Sequence, residues 1–310
     1  MSIPNVASRE QMIAAAPGEL LASRGLTIII PAYNEQHGIA GVIERLRGVM
    51  DESDLEYELL VVDDGSVDGT AEAARATGVS VVSHRKNQGY GAALKTGIRH
   101  ATFDRIAIID ADGSYPPQEI PRLNAALDEA EMVVGARTGA NAAIPLIRRP
   151  AKWFLTWLAS YLTGTKIPDL NSGLRLFKRA LAVEFLNLLP SGFSFTTTIT
   201  LAALNSGYTV EFVQVDYYHR VGRSKIRPIQ DTFNFLMLIL RMTLIFRPLS
   251  VYLPLAAIIF TGATLLLAVG WIGFGHVFGF TFIILIQAAI QAAMIGLLAD
   301  VVNVRRSRAP

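Results

Sequence analysis

The chain contains no cysteine. That excludes disulfides and thiolate chemistry, and it suits a reducing compartment. Charge is missing too, but only locally. No Asp, Glu, Lys, Arg or His occurs from Leu249 to Gly275, and after His276 none returns until Asp300. Each stretch exceeds the roughly 20 apolar residues needed to cross a bilayer, a length that excludes ordinary core helices. The sequence therefore predicts a transmembrane hairpin over 248–304. A pair of buried helices in an oligomer core is the competing reading.

Lys and Arg are absent from the intervening turn, Trp271–Phe280. By contrast, Arg241 and Arg247 precede the first span, and Arg305, Arg306 and Arg308 follow the second. Basic flanks mark the cytoplasmic side, so the preceding domain and the basic tail 305–310 are both expected there. A net charge of +2 gives no reason to expect nucleic acid as a partner. The cations gather beside the spans, where the anionic lipid of a bilayer meets them. Repeats and low-complexity segments are absent. Residues 1–25 lack the basic start and apolar core of a signal peptide, and this Ala-rich leader is expected to be a helix or a loose tail. Gly262, Gly270 and Gly273, with Ala288, Ala289, Ala292 and Ala293, offer a small-residue face for a homo-oligomer through the spans.

What is present is a regular alternation. With 310 residues the chain has room for one sizeable α/β domain besides the hairpin. Leu26–Ile30 (ended by Pro31), Glu58–Val62, Val79–Ser83, Arg105–Ile109 and Glu131–Gly135 read as strands. Ile39–Met50, Thr70–Ala76, Gly91–His100 and Glu119–Ala130 read as helices. This α/β order over 26–226 predicts a mostly parallel, doubly wound, Rossmann-like sheet with ligands at the carboxyl ends of its strands. In Pro228–Phe246, the residues Phe233, Leu236, Met237, Leu240 and Leu244 recur at three- and four-residue steps. A helix over 227–247 lying in the membrane interface is expected, and a connector packed on the preceding domain is the alternative.

Asp110-Ala111-Asp112 follows the apolar run Ile106–Ile109. Side chains alternate along a strand, so both carboxylates should project to the same side. Two carboxylates followed by Gly113 suit a hard cation such as Mg²⁺ or Mn²⁺. Alone, the triplet is equally a solvated acidic turn. It is joined at other strand ends by Pro31-Ala32-Tyr33-Asn34-Glu35 and by Val62-Asp63-Asp64-Gly65-Ser66-Val67-Asp68-Gly69-Thr70. A third segment, Asn87-Gln88-Gly89-Tyr90-Gly91, carries glycines that would let backbone approach a ligand before a helix N-terminus.

In this order the segments resemble the family-2 glycosyltransferases of the GT-A fold. Within that family the chain is most similar to the dolichol-phosphate mannose synthase and polyprenyl-phosphate glycosyltransferase group, over about residues 26 to 226. The resemblance implies an inverting, membrane-anchored enzyme that moves a single sugar from a nucleotide sugar, GDP-mannose or a UDP-hexose, to polyprenyl or dolichyl phosphate. It implies that Pro31, Ala32, Tyr33, Glu35 and Val62 line the nucleoside pocket with Asn87 and Gly89, and that Asp64 contacts the base. Asp110 and Ala111 would border the ribose and diphosphate. Asp112, aided by Asp110, would hold Mg²⁺ or Mn²⁺. His219–Lys225 matches the family's basic loop, so Arg220 and Lys225 would neutralise the leaving diphosphate; a plain basic membrane flank is the alternative.

Pro168–Arg175 resembles the acceptor-side motif, in which Asp169 takes the position of a catalytic carboxylate and Ser172 and Arg175 meet the acceptor phosphate. Arg137 is a further candidate for that phosphate. A sugar hydroxyl acceptor would need a general base. A lipid monophosphate, with a second pKa of about 6, is already largely dianionic at neutral pH and needs alignment instead. Asp169 is therefore read as a positioning or weak-base residue, and a turn anchor or a partner of Arg175 is the alternative. A processive polysaccharide synthase would carry Gln-x-x-Arg-Trp, which is absent. An inactive membrane scaffold would not need to retain the acidic motifs.

Overall fold

The structure, a computed structural model, describes residues 25–138, 149–192, 194–218, 228–274 and 279–307. The chain divides into two units, one of residues 1–145, 168–203 and 208–225, the other of 146–167, 204–207 and 226–310. In the first unit a strand of each pair is followed by a helix. The order is β1 (Leu26–Ala32), α1 (Ile39–Asp51), β2 (Tyr57–Asp63), α2 (Thr70–Ala76), β3 (Ser80–Ser83), α3 (Tyr90–His100), β4 (Arg105–Ile108), α4 (Glu119–Ala126) and β5 (Met132–Ala136). It continues with β6 (Arg175–Lys178), α6 (Arg179–Phe185), α7 (Phe195–Asn205) and β7 (Val210–Gln214). Between β5 and β6 the chain forms α5 (Arg149–Thr163), which belongs to the second unit.

The strands make one 7-stranded sheet in the order β3-β2-β1-β4-β6-β5-β7. All pairings are parallel except those of β6, which runs against both β4 and β5. Alternation splits β1 between two cores. Leu26, Ile28, Ile30 and Ala32 pack with Ile39, Val42, Ile43 and Leu46 of α1 and with Ile120 and Leu123 of α4. Ile29 faces the other side, where α3 approaches so closely that a Cβ on Gly97 would meet it at 2.6 Å. Helices on both faces bury the sheet and leave its carboxyl edge as the place for a ligand.

Pro31 does not end β1, as the sequence suggested. It pairs with Val62 and the strand runs on to Ala32. In a parallel ladder Ile29 and Pro31 face the same neighbour. Ile29 O accepts from Ile109 N; Pro31 has no N–H to continue this ladder, and β4 ends at Ile108.

The second unit comprises α5, α8 (Pro228–Phe246), α9 (Leu249–Phe274) and α10 (Gly279–Ser307). α8 packs on α5 and buries Ile239, Met242 and Thr243, while Phe233 and Met237 of its apolar stripe stay exposed. Arg247 Nη1 donates to Thr163 O at 3.0 Å and ties the two helices at one end. On α5, Trp153, Trp157 and Tyr161 stack in a row at centroid distances of 6.5 and 5.8 Å. The row is exposed, so helix packing does not account for its aromatic character. α9 and α10 form an antiparallel hairpin containing two apolar stretches long enough to cross a membrane, Leu249–Ile272 and Gly279–Asn303. Its seam is made by small residues: Ala256 and Ala263 on α9, and Ala289, Ala292 and Gly296 on α10, where Gly296 receives Tyr252. Ala289 and Ala292 are thus covered within one chain, which corrects their expected role on an oligomer face.

Candidate active site

β1, β2 and β4 all end on one edge of the sheet, and each leads into one of the sequence motifs. β5 runs the same way, because both it and β4 are antiparallel to β6. Its end delivers Arg137 to that edge. The reversed β6 starts there, and brings the loop 168–174 with it. Parallel and reversed strands together therefore gather distant segments at one place.

The first two loops are stitched to each other. Asn34, at φ 58°, donates its N–H to Ser66 Oγ at 3.0 Å and accepts from Val67 N at 3.0 Å. Glu35 N donates to Thr70 Oγ1 at 2.9 Å, and Gln36 Oε1 accepts from Gly69 N at 3.0 Å. Pro31, Ala32 and Val62 are buried in the strands, whereas Tyr33 and Glu35 are half-buried at the rim and Asn87 is exposed. Of the residues expected around a nucleoside, these last three present their side chains.

Asp64 is only 3% exposed. Its Oδ1 accepts from His84 Nδ1 at 2.7 Å and Gln88 N at 2.9 Å, and its Oδ2 from Gly89 N at 2.8 Å. Thr96 Oγ1 lies 2.9 Å from His84 Nε2, so a ring donating through Nδ1 can accept through Nε2. Asp64 therefore buckles the end of β2 to the 87–89 turn, instead of standing open toward a base. The glycines of that turn also differ from expectation. A Cβ on Gly91 would lie 2.2 Å from Pro190 O, and one on Gly89 2.5 Å from Ser191 O. Ser191 O accepts the Ala92 amide at 3.1 Å. The close approach at the start of α3 is made by the chain's own loop, and not left open for a ligand.

Asp110 and Asp112 lie beyond the last residue of β4, so strand alternation does not reach them. The register that pairs Ile108 with Arg175 continues to set Gly173 opposite Asp110. Any Cβ there would come within 2.2 Å of Asp110 Oδ2. From the other side Tyr90 Oη donates to Asp110 Oδ1 at 2.9 Å. Burial, and after it the Asp110 carboxylate, pushes the Tyr90 hydroxyl well above its ordinary pKa, which keeps it a donor. Asp112 has separate partners: its Oδ1 accepts from Ser114 N at 3.0 Å and Ser114 Oγ at 2.6 Å. Both carboxylates remain half-exposed. Among the described residues no group of three or more metal-ligating side chains occurs. Two hard oxygen donors still fit Mg²⁺ or Mn²⁺, which commonly take one or two carboxylates and complete their shell with phosphate and water.

Asp169, 1% exposed, receives a bidentate fork from Arg137: Nε to Oδ2 at 2.7 Å and Nη2 to Oδ1 at 2.9 Å. The Arg137 backbone N–H adds 3.1 Å to Oδ2, and Asn171 N 3.3 Å to Oδ1. The guanidinium lies over Tyr217, 5.3 Å from its centroid, and Tyr217 meets Tyr115 edge-on at 5.2 Å. Burial pulls the Arg137 guanidinium down, but Tyr115 and Asp169 more than reverse this and hold it above its ordinary value. Asp169 is thus the partner of Arg137 and not of Arg175.

Ser172 and Arg175, expected at an acceptor phosphate, are both fully buried. Ser172 Oγ donates to Gly135 O. Arg175 donates to Ser172 O, to Thr196 O at 2.8 Å and to Thr200 Oγ1 at 2.9 Å. Burial lowers its pKa to about 10, which leaves it cationic at neutral pH. Both residues brace the 168–175 loop from below and present no donor to solvent, a correction to the expected phosphate contact.

Arg220 and Lys225 lie outside the described residues. The chain just before them is anchored at the site, because Val215 N donates to Ala136 O and Tyr218 N to Ser114 O, each at 2.9 Å. Sequence reasoning missed four supports, namely His84, Tyr90, Tyr115 and Tyr217. Tyr90 stood inside a motif that had been read for its glycines.

Residues 27–185 match the family described as Glycosyl transferase family 2. Over 168 residues the chain is 36% identical to undecaprenyl-phosphate 4-deoxy-4-formamido-L-arabinose transferase of Klebsiella pneumoniae subsp. pneumoniae, covering 52% of this chain and 51% of that protein. The chain therefore spans about half the length of the curated relative it matches. Among solved structures it is similar to glucosyl-3-phosphoglycerate synthase from Mycobacterium tuberculosis in complex with Mn²⁺, UDP and phosphoglyceric acid. There the TM-score is 0.56 at 23% identity, over 73% of this chain and 82% of that one. The same synthase with Mn²⁺, UDP-glucose and phosphoglyceric acid gives a TM-score of 0.54 at 23% identity, over 74% and 84%. These neighbours share the GT-A-like sheet. With more than half of its length inside the family's match, this chain belongs to glycosyl transferase family 2.

Proposed function

We propose that the protein transfers one sugar from a nucleotide sugar, GDP-mannose or a UDP-hexose, to a polyprenyl or dolichyl phosphate at the cytoplasmic face of a membrane. The observation that carries this reading is the presence, in one family-2 chain, of a strand-edge acidic site and a helical hairpin of membrane-spanning length. The likeness to an undecaprenyl-phosphate sugar transferase supports the acceptor class.

An oxygen of the lipid phosphate attacks the anomeric carbon in line, the bond from that carbon to the nucleoside diphosphate breaks, and the configuration inverts. Tyr33, Glu35 and Asn87 border the nucleoside, while Asp64 holds the turn beneath it. Asp110 and Asp112 would hold Mg²⁺ or Mn²⁺, which when bound neutralises the charge that grows on the leaving diphosphate. Arg220 and Lys225 add cations to the same task, an assignment that rests on the sequence. Asp169 is committed to Arg137 by two short bonds. It orients that guanidinium toward the acceptor side and takes no proton, which a phosphate dianion does not require.

Membranes containing the full chain, incubated with polyprenyl phosphate, Mg²⁺ or Mn²⁺ and a panel of nucleotide sugars, should yield a glycolipid with one donor. No glycolipid across the whole panel would overturn the reading. Loss of Mn²⁺-dependent nucleotide binding in Asp112→Ala, against clear binding by the parent, separates an active transferase from an inert scaffold.

A further inference from the structure

Two glutamines stand in the middle of an apolar helix. Gln287 and Gln291 lie one turn apart on α10, within the apolar stretch Gly279–Asn303. At 1.5 Å per residue they sit about 12 and 18 Å along it, deep in a hydrocarbon core of about 30 Å. Both are exposed. The helical period places them on the side opposite Ala289, Ala292 and Gly296, which form the hairpin seam, so α9 does not cover them. Their neighbours on that side, Ile284, Met294 and Leu298, are also 66%, 55% and 65% exposed. Thr264 of α9, by contrast, satisfies its hydroxyl within its own helix on Thr261 O.

A carboxamide facing lipid tails has lost water and gained no partner. Polar side chains inside membranes accordingly face other helices and hydrogen-bond across them. We propose that the Gln287/Gln291 face of α10 docks on the same face of a second copy of this chain. A carboxamide is both donor and acceptor, so the pair is complementary to itself. A two-fold axis would bring each glutamine against its equivalents and bury the flanking Ile284, Met294 and Leu298. The inference rests on the membrane reading of α9 and α10.

The absence of native cysteine makes the test direct, because an introduced thiol is the only one in the chain. Met294→Cys lies on the proposed face and leaves both glutamines in place. Ile258→Cys lies on α9 and is comparably exposed, at 69% for the native side chain. In native membranes under copper–phenanthroline oxidation, Met294→Cys should cross-link to twice the chain mass and Ile258→Cys should remain monomeric. Adding Gln287→Leu and Gln291→Leu to the Met294→Cys chain should lower the cross-linked fraction about tenfold at fixed protein-to-lipid ratio, the scale of a few interhelical hydrogen bonds. A monomer throughout, equal cross-linking at Ile258, or an adduct of another mass would overturn the second-copy interface. Fractionation of the same samples separates the two readings. A membrane-bound monomer refutes the interface alone, and a chain outside the membrane refutes the membrane reading along with it.

Discussion

Arg137→Ala leaves a carboxylate in place and removes its counter-charge. Asp169 is 1% exposed and would lose bonds of 2.7 and 2.9 Å, while the backbone amides at 3.1 and 3.3 Å stay in place. Breaking a buried pair from one side costs about 3–5 kcal/mol, because the remaining charge is uncompensated. The Arg137 side chain is 22% exposed, so water can enter the vacated space. The loss is therefore placed at the lower end, about 3 kcal/mol, with about 0.5–1 kcal/mol more from the contact with Tyr217. Replacing Asp169 by Ala as well removes the stranded charge, and the double variant should recover about 1.5 kcal/mol or more relative to the sum of the singles. Urea unfolding of the purified full chain, followed by circular dichroism, measures the cycle. Energies that add within about 0.5 kcal/mol would refute the pairing as an energetic unit. The kinetic counterpart is equally specific. Residues acting as one unit lose similar factors in kcat/KM whichever is removed, whereas a free base at position 169 would make Asp169→Asn worse than Arg137→Ala by about 10²-fold or more.

Gly173→Ala should push Asp110 off its place and weaken Mn²⁺-dependent nucleotide binding about 10–100-fold, as removal of a ligand's support commonly does. Titration calorimetry with and without chelator measures it, and unchanged binding would contradict the close approach at Gly173. Tyr90→Phe deletes only the hydroxyl that Asp110 accepts, and should give a smaller loss in the same assay with the far-ultraviolet spectrum unchanged. Burial, and then the hydrogen bond to Asp51, raises the Tyr57 hydroxyl from 10.0 to about 12. The folded chain thus keeps a proton that the unfolded chain has lost, so this stability is complete below about pH 10 and disappears as pH rises to about 12. Tyr57→Phe should flatten the fall in melting temperature across that window.

The strand-edge motifs were legible because each strand is short, apolar and followed at once by polar residues or glycine, as at Val62-Asp63-Asp64. Helix periodicity and the missing charges located the hairpin for the same reason: water and lipid impose simple patterns. β6 was not legible. Arg175–Lys178 is a 4-residue strand with a buried Arg at its start, and its reversed direction is set by β4 and β5 on either side. Glycine chemistry showed that something approaches residues 89 and 91, but the approaching group, loop 190–192, is a hundred residues away in sequence. Hydrogen-bond saturation is likewise invisible to a motif. Asp64 and Arg175 both carry the residue type a ligand would want, and both spend it on the protein's own amides, hydroxyls, carbonyls and the His84 ring.

Asp110 touches Tyr90 at the entry to α3 and Gly173 in the loop ahead of β6. The first belongs to the half of the site that would meet a donor, and the second to the half that would meet an acceptor. A carboxylate wedged between them cannot move for one ligand without shifting the ground under the other. Linkage makes such an effect reciprocal: whatever factor a bound nucleotide imposes on acceptor affinity, the acceptor returns to the nucleotide. Asp110 would then serve as the joint through which two binding equilibria are communicated, in addition to any hold it has on a cation.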